Sequence, residues 1–210
     1  AGSFDGVISI AVDNKAKSIT ISDNGIGLDA DDLKETLGTI ASSGTKAFLE
    51  QMNKAGDAAK TQSQLIGQFG VGFYAAFMVA ERVEVVSKKA TSDDAFCWAS
   101  DGKSGFSITP ASKAETGTEI TLFLKSDARE FLDEVRISHL IKKYSDHISF
   151  PINWLSKDAD AKRLNASTAL WTQPAKDISK DDYQAFYNSV SGSYDAPFCT
   201  FHNKTEGVVE

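Results

Sequence analysis

The sequence predicts an α+β fold, a two-layer sandwich in which helices cover a mostly antiparallel sheet. Short segments with apolar or alternating patterns follow one another between turn-rich stretches, as antiparallel strands do. Helix-like segments precede and follow this run of strands and do not alternate with single strands. That order favours an α+β sandwich over a doubly wound parallel sheet.

Composition narrows the range of partners. The 210 residues suffice for one sizeable domain and either a tail or part of a second. A formal charge of −7 argues against a nucleic-acid surface, since phosphate backbones favour excess Lys and Arg. We expect no membrane partner and a cytoplasmic location, because the sequence shows neither an apolar run of roughly 20 residues nor a signal peptide. Cys97 and Cys199 lie far apart and predict free thiols, with a single disulfide as the alternative.

The first predicted element is a β-hairpin. Apolar residues alternate over 8–12 and again over 19–21, on either side of a polar turn. The second strand leads into Asp23-Asn24-Gly25-Ile26-Gly27. A carboxylate beside two glycines can meet a planar ligand closely, and the exocyclic amine of adenine is a natural partner. The alternative is a plain turn, for which Asn-Gly is a favoured pair.

A short helix and a weakly apolar segment come next. Asp29 predicts the N-cap of a helix that runs through Leu37. The segment 38–64 is small and polar in composition and is flanked by glycines. A segment of this kind suits a mobile lid, and a disordered surface loop is the alternative.

A glycine loop follows this segment. Three glycines fall within residues 67–72, and the apolar run to Phe77 predicts a helix whose N-terminus faces them. Such a loop suits a phosphate chain, and a tight turn is the alternative. It lacks the Gly-Lys-Ser/Thr of a Walker loop and the dinucleotide glycine spacing, so those two enzyme classes are set aside.

The rest of the chain predicts further strands, two helical regions and a boundary. Trp98 and Trp154 fall in strand patterns and are expected in the core. A helical region should begin at Asp127, and another at Ser179. His139, His147 and His202 lack ligand spacing, so we expect no metal site. The further strands are predicted at 83–87, 95–99, 106–109, 119–124 and after Pro151, and the domains at 1–155 and 168–210, with a charged linker at 156–167.

Four segments, taken in order, resemble the nucleotide-binding boxes of the gyrase, chaperone, histidine-kinase and mismatch-repair ATPase superfamily. Within it, the resemblance is to the bacterial branch of the ninety-kilodalton heat-shock chaperone family. Residues from 171 onward resemble the start of that family's middle domain, so the resemblance covers essentially the whole chain. The four segments are Asp23 to Gly27, Leu37 to Lys46, Gly67 to Phe77, and Gly117-Thr118.

This resemblance implies a Bergerat-type fold that binds ATP or ADP. Asp23 would bind the adenine amine, assisted through water by Gly27 and Thr118, while Leu28 and Phe73 wall the pocket. The backbone amides of 68–73 would hold the phosphates under the lid. The cofactor-binding residues implied are Asp23, Gly27, Leu28, Thr36, Ser42, Ser43, Gly67, Gln68, Phe69, Gly70, Val71, Gly72, Phe73 and Thr118. Thr36 stands where the family often has Asn or His, and Ser42 where Lys is usual.

The resemblance also implies an ATP-dependent chaperone that assists the folding of unfolded or partly folded clients and acts as a homodimer. The family's general-base glutamate and Mg²⁺-binding asparagine precede the first hairpin, so we expect a domain truncated at its N-terminus, with no catalytic residue. Weak or no ATP hydrolysis is expected from this chain alone, as is association or domain swapping through exposed apolar surface. The alternatives are a nucleotide-gated binding module without hydrolysis, and an ATPase of the topoisomerase or mismatch-repair type.

Overall fold

The computed structural model describes residues 5–38, 70–156, 160–166, 170 and 173–202. The strands in these ranges are β1 (Ile8–Asp13), β2 (Ser18–Asp23), β3 (Ala80–Lys88), β4 (Ala95–Ser100), β5 (Phe106–Ala111), β6 (Gly117–Leu124), β7 (Ile152–Leu155) and β8 (Lys162–Arg163). The helices are α1 (Ala30–Leu37), α2 (Ala76–Val79), α3 (Glu134–Ser145) and α4 (Lys180–Ser191), and three 3-10 segments are Gly72–Ala75, Ser126–Leu132 and Ala175–Asp177.

The described strands form one sheet in the order β5-β4-β3-β6-β2-β1-β7-β8. All neighbouring pairs are antiparallel except β1 and β7, which run parallel. Helices α1 and α3 contribute apolar side chains to one face of this sheet. The predicted α+β sandwich with a mostly antiparallel sheet is therefore confirmed.

The β1–β2 hairpin is confirmed, and its turn is held by a side chain. Asp13 Oδ1 accepts hydrogen bonds from the N–H groups of Lys15 at 2.7 Å and Ala16 at 3.0 Å. Lys17 then takes a left-handed conformation with φ of 56° before β2 begins. This closure of the hairpin fixes its register, with Ile10 opposite Ile21, and so determines which residues face the core.

One face of the sheet carries the core. Ile21, Ile120, Val85 and Trp98 are paired in register across β2, β6, β3 and β4, so their side chains share a face. Leu33 of α1, which is fully buried, belongs to the same cluster. Trp98 is 2% exposed and Trp154 is 8% exposed, which confirms both as core residues. Each large side chain buried here contributes about 1.5–3 kcal/mol to folding.

The opposite face of the sheet is polar. Thr20 precedes Ile21 on β2 and therefore points away from the core. Its hydroxyl lies 3.1 Å from that of Thr121 on β6, and Glu84 of β3 is paired with Thr121. The sheet thus has one apolar face for packing and one face that tolerates water, as antiparallel sheets commonly do.

Two helical predictions need correction at their ends. The helix predicted to start at Asp127 begins at Glu134, because the residues before it form a 3-10 helix that has no side-chain cap. Asp133 is the actual cap, with its carboxylate accepting Arg136 N–H at 2.8 Å. After the glycine loop the predicted helix is only a 3-10 turn and one α-turn, because Ala80 is already extended and starts β3.

Part of the predicted linker 156–167 is built into the sheet. Leu164 and Asn165 are 3% and 5% exposed, directly after β8. The Asn165 amide accepts Ile152 N–H at 2.8 Å and donates to the carbonyls of Ile148 at 3.1 Å and Phe150 at 3.0 Å. These bonds fasten the chain to the segment between α3 and β7, whereas the division into domains at this point stays a prediction.

Helix α4 confirms the helix predicted from Ser179. The Ser179 hydroxyl accepts Asp182 N–H at 3.1 Å, while the Asp182 carboxylate accepts Ser179 N–H at 2.9 Å. The Ser179 hydroxyl also donates to the Asp182 carboxylate at 2.6 Å, and this bond, followed by the one from Ser179 N–H, lowers the pKa of Asp182. Gly192 ends the helix at φ of 68°. Of the helices that the structure describes, none has the length and apolar run that crossing a lipid bilayer requires.

Candidate functional site

A cavity of about 340 Å³ lies at the end of β2 where Asp23 stands. This volume falls within the range of about 300–1,000 Å³ that is usual for small-molecule sites. Its walls are mostly apolar, and Asp23 is the one acidic side chain among the described residues that line it. The lining consists of Gly6, Val7, Ile8, Ile21, Ser22, Asp23, Asn24, Gly25, Ile120 and Phe150.

The Asp23 carboxylate is fixed by backbone amides through one of its oxygens. Oδ1 accepts the N–H of Gly25 at 2.8 Å and that of Thr118 at 3.4 Å. Among the described residues, no donor reaches Oδ2. An ionised carboxylate only accepts hydrogen bonds. Oδ2 is therefore left as an acceptor for a ligand, and the orientation of the carboxylate is set by the turn after β2 and by β6.

Two glycines allow the backbone around Asp23 to approach other strands closely. Gly27 has φ of 64°, and a Cβ there would lie 1.9 Å from the carbonyl oxygen of Lys88. Gly117 has φ of 123°, and its Cβ would lie 2.1 Å from the carbonyl oxygen of Asp23. Any other residue at either position would push the turn off the sheet, because the colliding atoms belong to the backbone.

Ser87 links the parts of this site, and sequence reasoning missed it. It is 0% exposed, and its hydroxyl oxygen accepts Leu28 N–H at 2.8 Å. The same oxygen lies 2.9 Å from Thr118 Oγ1 and 3.2 Å from the carbonyl oxygen of Gly117. The strand pattern contained a signal for it. Ser87 follows Val83 and Val85 at alternate positions of the strand. This alternation predicts that the Ser87 hydroxyl is buried and therefore needs hydrogen-bond partners.

The described part of the glycine loop belongs to a second group, around Trp98. Phe73 meets Trp98 edge to face, with ring centroids 5.5 Å apart. The Tyr74 hydroxyl donates to the carbonyl of Leu37 at 3.2 Å and so ties this turn to the end of α1. No atom of the described residues lies within 4 Å of the place a Cβ of Gly72 would take, and Val71 is 54% exposed. The backbone of this turn can therefore be reached by a ligand.

The predicted site residues thus fall into two groups in the structure, with Thr36 apart from both and the remainder outside the described residues. Asp23, Gly27, Leu28 and Thr118 come together around Ser87. Gly70, Val71, Gly72 and Phe73 form the turn next to Trp98 on β4. On the same face of the sheet, β4 lies three strand spacings, about 14 Å, from β2, which carries Asp23. Thr36 is half-buried on α1. Ser42, Ser43, Gly67, Gln68, Phe69 and almost all of the predicted lid lie outside the described residues.

Groups that could ligate a metal are not found in the described part of the chain. There, no three His, Cys, Asp or Glu side chains gather at a suitable distance. The ring of His202 instead shares a hydrogen bond with the hydroxyl of Tyr183 at 2.7 Å. The chemistry of the described site therefore rests on one carboxylate, two hydroxyls and backbone amides.

An ion-pair cluster holds the start of α1 beside the site. Lys89 Nζ lies 2.6 Å from the carboxylates of both Asp29 and Asp32. The pKa of Asp29 is lowered, first by the hydrogen bond from Asp32 N–H and then by that from Lys89. The pKa of Lys89 is raised by its bonds to Asp29 and Asp32. Lys89 follows β3 and Asp29 caps α1, so the cluster joins the helix to the sheet.

Replacing Lys89 by methionine is expected to make the protein more sensitive to acid. The lowered pKa of Asp29 stabilises the fold fully above its ordinary value of 3.8, and this stabilisation is lost as the pH falls through the folded pKa. Without Lys89 the folded pKa moves back toward 3.8, so acid unfolding begins at a higher pH. Circular dichroism between about pH 2 and 7 measures its midpoint. Lys34→Met, on the exposed side of α1, is the control, and equal midpoints for both variants would contradict the prediction.

Comparisons with known proteins agree with this architecture. A family model described as histidine kinase-, DNA gyrase B- and HSP90-like ATPase matches residues 5–103, and one described as Hsp90 protein matches residues 156–210. Three relatives are named chaperone protein HtpG. That of Roseobacter denitrificans is 52% identical over 202 residues, covering 96% of this chain and 31% of the relative. That of Gluconobacter oxydans is 48% identical over 207 residues, covering 97% and 33%, and that of Rhodospirillum rubrum is 46% identical over 203, covering 97% and 32%.

The matches extend over both parts of the sequence. The two family models cover the hairpin, the glycine loop and the segment after β7, and the relatives align with nearly the whole chain. The chain spans about a third of the length of these curated relatives. It belongs to the ninety-kilodalton heat-shock chaperone family, Hsp90.

Proposed function

We propose that this chain is the ATP-binding part of an ATP-dependent chaperone that assists the folding of unfolded or partly folded client proteins. The family membership and the match to an ATPase model support this function. The observation that carries it is the apolar cavity with a single fixed carboxylate, Asp23. The names of the relatives favour a chaperone over a topoisomerase or a mismatch-repair ATPase.

The adenine base would occupy the Asp23 cavity. Oδ2 of Asp23 would accept from the exocyclic amine, since Oδ1 already accepts from Gly25 and Thr118. Ile21 and Ile120 lie side by side on the core face of the sheet and offer an apolar surface to the ring. Gly27 and Thr118 would assist through water, and Leu28 would wall the pocket.

The phosphates would lie toward the glycine loop. Within the described part of the chain Val71 and Gly72 are exposed and Gly70 is half-buried, and Phe73 would close the wall beside them. Both groups lie on one face of the sheet. A single nucleotide could therefore have its base at the Asp23 cavity and its phosphates at the glycine loop. Thr36, Ser42, Ser43, Gly67, Gln68 and Phe69 complete the proposed contacts.

Magnesium and hydrolysis belong to the same proposal. Bound Mg²⁺ neutralises phosphate charge and is usually held by one or two carboxylates, phosphate oxygens and water. The described lining residues of the cavity include no glutamate that could act as general base. We therefore expect this chain by itself to bind ATP with little turnover, so that in isolation it behaves as a nucleotide-binding module.

The whole protein would couple nucleotide binding to a conformational cycle. Residues 38–64 would act as the lid, and the chaperone would work in the cytoplasm as a homodimer. The matches over 5–103 and 156–210 support a nucleotide-binding domain at 1–155 and the start of a middle domain at 168–210. The segment 156–167 would then join the two, with Leu164 and Asn165 buried next to the sheet.

Calorimetric titration of ADP with Mg²⁺ into this chain tests the proposal. We expect saturable binding with one nucleotide per chain and an increase in Tm, since a ligand that binds only the folded state stabilises it. A phosphate-release assay with ATP should show little turnover. Absence of both heat and a Tm shift at millimolar ADP would overturn the proposed function.

A further inference from the structure

We propose that Ser87 is a positioning residue that makes the site select 6-amino purines over 6-oxo purines, by fixing the direction in which the Thr118 hydroxyl points its hydrogen. The inference rests on the proposed nucleotide function and deepens it. Ser87 itself lies behind the cavity, fully buried, and is absent from its lining. It would therefore act through Thr118.

The valence of the Ser87 hydroxyl determines its hydrogen-bond pattern. A serine hydroxyl has one hydrogen to donate and two lone pairs that accept. Leu28 N–H occupies one lone pair at 2.8 Å, and the carbonyl oxygen of Gly117, 3.2 Å away, takes the hydrogen. The second lone pair is left for Thr118, whose oxygen lies at 2.9 Å. All three partners are satisfied only when Thr118 donates to Ser87.

Thr118 is not itself a lining residue, but it lies between Ser87 and Asp23, and its hydroxyl then has only lone pairs left for a partner on the Asp23 side. It precedes Ile120, a lining residue, by two positions on β6, so the two side chains share a face of the sheet. Asp23, whose Oδ1 accepts Thr118 N–H, is likewise an acceptor. Two acceptors side by side suit the two hydrogens of an exocyclic amine. A water held between them donates one hydrogen to each, so it likewise offers only lone pairs to the purine. A 6-oxo group would place a third acceptor there and be repelled.

Loss of the Ser87 hydroxyl would free the hydrogen of Thr118. The Thr118 hydroxyl could then rotate and donate to the bridging water, which would have a hydrogen left for the oxygen of a 6-oxo purine. The wild-type arrangement prevents this rotation. Binding of inosine 5′-diphosphate should improve relative to binding of ADP. The affinity for ADP divided by the affinity for inosine 5′-diphosphate should fall by about tenfold, which is the effect of one hydrogen bond. A general loss of stability would weaken the binding of both nucleotides equally and leave the ratio of their affinities unchanged.

The experiment measures ADP and inosine 5′-diphosphate affinities for the 210-residue chain by calorimetry, in wild type and in Ser87→Ala. A double-mutant cycle with Thr118→Val isolates the pathway. If Ser87 acts through Thr118, Ser87→Ala changes the ratio in the wild-type background and does not change it in the Thr118→Val background. Thr20→Val is the matched control, since it breaks the hydroxyl pair with Thr121 on the opposite face of the same sheet.

Two further variants guard against misfolding. Ser87→Cys keeps a side chain of similar shape with a much weaker hydrogen-bonding group, so its ratio should fall as in Ser87→Ala. Ser87→Thr keeps the hydroxyl and should restore the wild-type ratio. This inference is overturned if the ratio is unchanged in Ser87→Ala and Ser87→Cys. It is also overturned if Ser87→Ala changes the ratio by the same factor in the wild-type and the Thr118→Val backgrounds. In both cases the proposed nucleotide function stands. Failure of the wild-type chain to bind ADP overturns both.

Discussion

The variant Asp23→Asn is expected to bind ADP about ten- to a hundredfold more weakly than wild type, as removal of a charge-assisted hydrogen bond predicts. Asparagine keeps an oxygen at the Oδ1 position, so the N–H groups of Gly25 and Thr118 retain their acceptor. Its amide nitrogen would replace Oδ2 and turn a donor toward the amine of adenine. The turn should therefore keep its shape while the recognition of the base is lost.

The same hairpin provides a matched control. Asp13 stands at the other end, and its Oδ1 also accepts two backbone N–H groups, those of Lys15 and Ala16. Asp13→Asn makes the same chemical change in the same kind of turn, away from the cavity. Calorimetric titration with ADP and Mg²⁺ should show a loss only for Asp23→Asn, with similar Tm values for both variants. Equal affinity of the two variants would refute the assignment of Asp23.

The variant Gly27→Ala is expected to reduce the free energy of unfolding by about 3 kcal/mol or more, in the range of severe single substitutions. Part of this cost is conformational, because φ of 64° is left-handed and costs an alanine about 1–2 kcal/mol. The larger part is steric. The new Cβ would lie 1.9 Å from the carbonyl oxygen of Lys88, so either the turn or β3 has to move.

Gly192 separates these two contributions. Its φ of 68° nearly equals that of Gly27, but no atom of the described residues lies within 4 Å of the place a Cβ would take. Gly192→Ala should therefore show only the conformational cost, about 1–2 kcal/mol. Urea unfolding followed by circular dichroism measures both variants. If the two lost the same stability, the contact between the Asp23 turn and β3 would not be a tight one.

Local patterns explain why much of the fold could be predicted. The hairpin, the Asp29 cap of α1 and the Ser179 cap of α4 depend on residues within a few positions of one another. Alternation likewise placed Trp98 and Trp154 in the core, because a strand has a fixed period of two. The start of the helix was wrongly predicted at Asp127. Asp127 and Asp133 are both acidic residues that can cap a helix, and local sequence does not distinguish them.

Other features join residues far apart in the chain and left no readable local pattern. The parallel pairing of β1 with β7 brings Ile8 beside Ile152, and nothing near either residue predicts it. In the sequence, Lys89 is one of several charged residues in a polar turn. Only the fold brings it into ion pairs with Asp29 and Asp32. The burial of Leu164 and Asn165 next to the sheet could not be predicted, because the charged residues around them indicated an exposed linker.

The sequence by itself determined the fold class and the order of most elements, because hydrophobic period and helix caps depend on neighbouring residues. The family followed from the resemblance of its glycine-containing segments to known nucleotide-binding boxes. The sequence also named Asp23 as the candidate for base recognition, and that role stays a prediction. Only the tertiary structure decided what surrounds Asp23. Thr118, Ser87 and Leu28 come from three separate segments, and their mutual hydrogen bonds exist only once β2, β6 and β3 are aligned in one register.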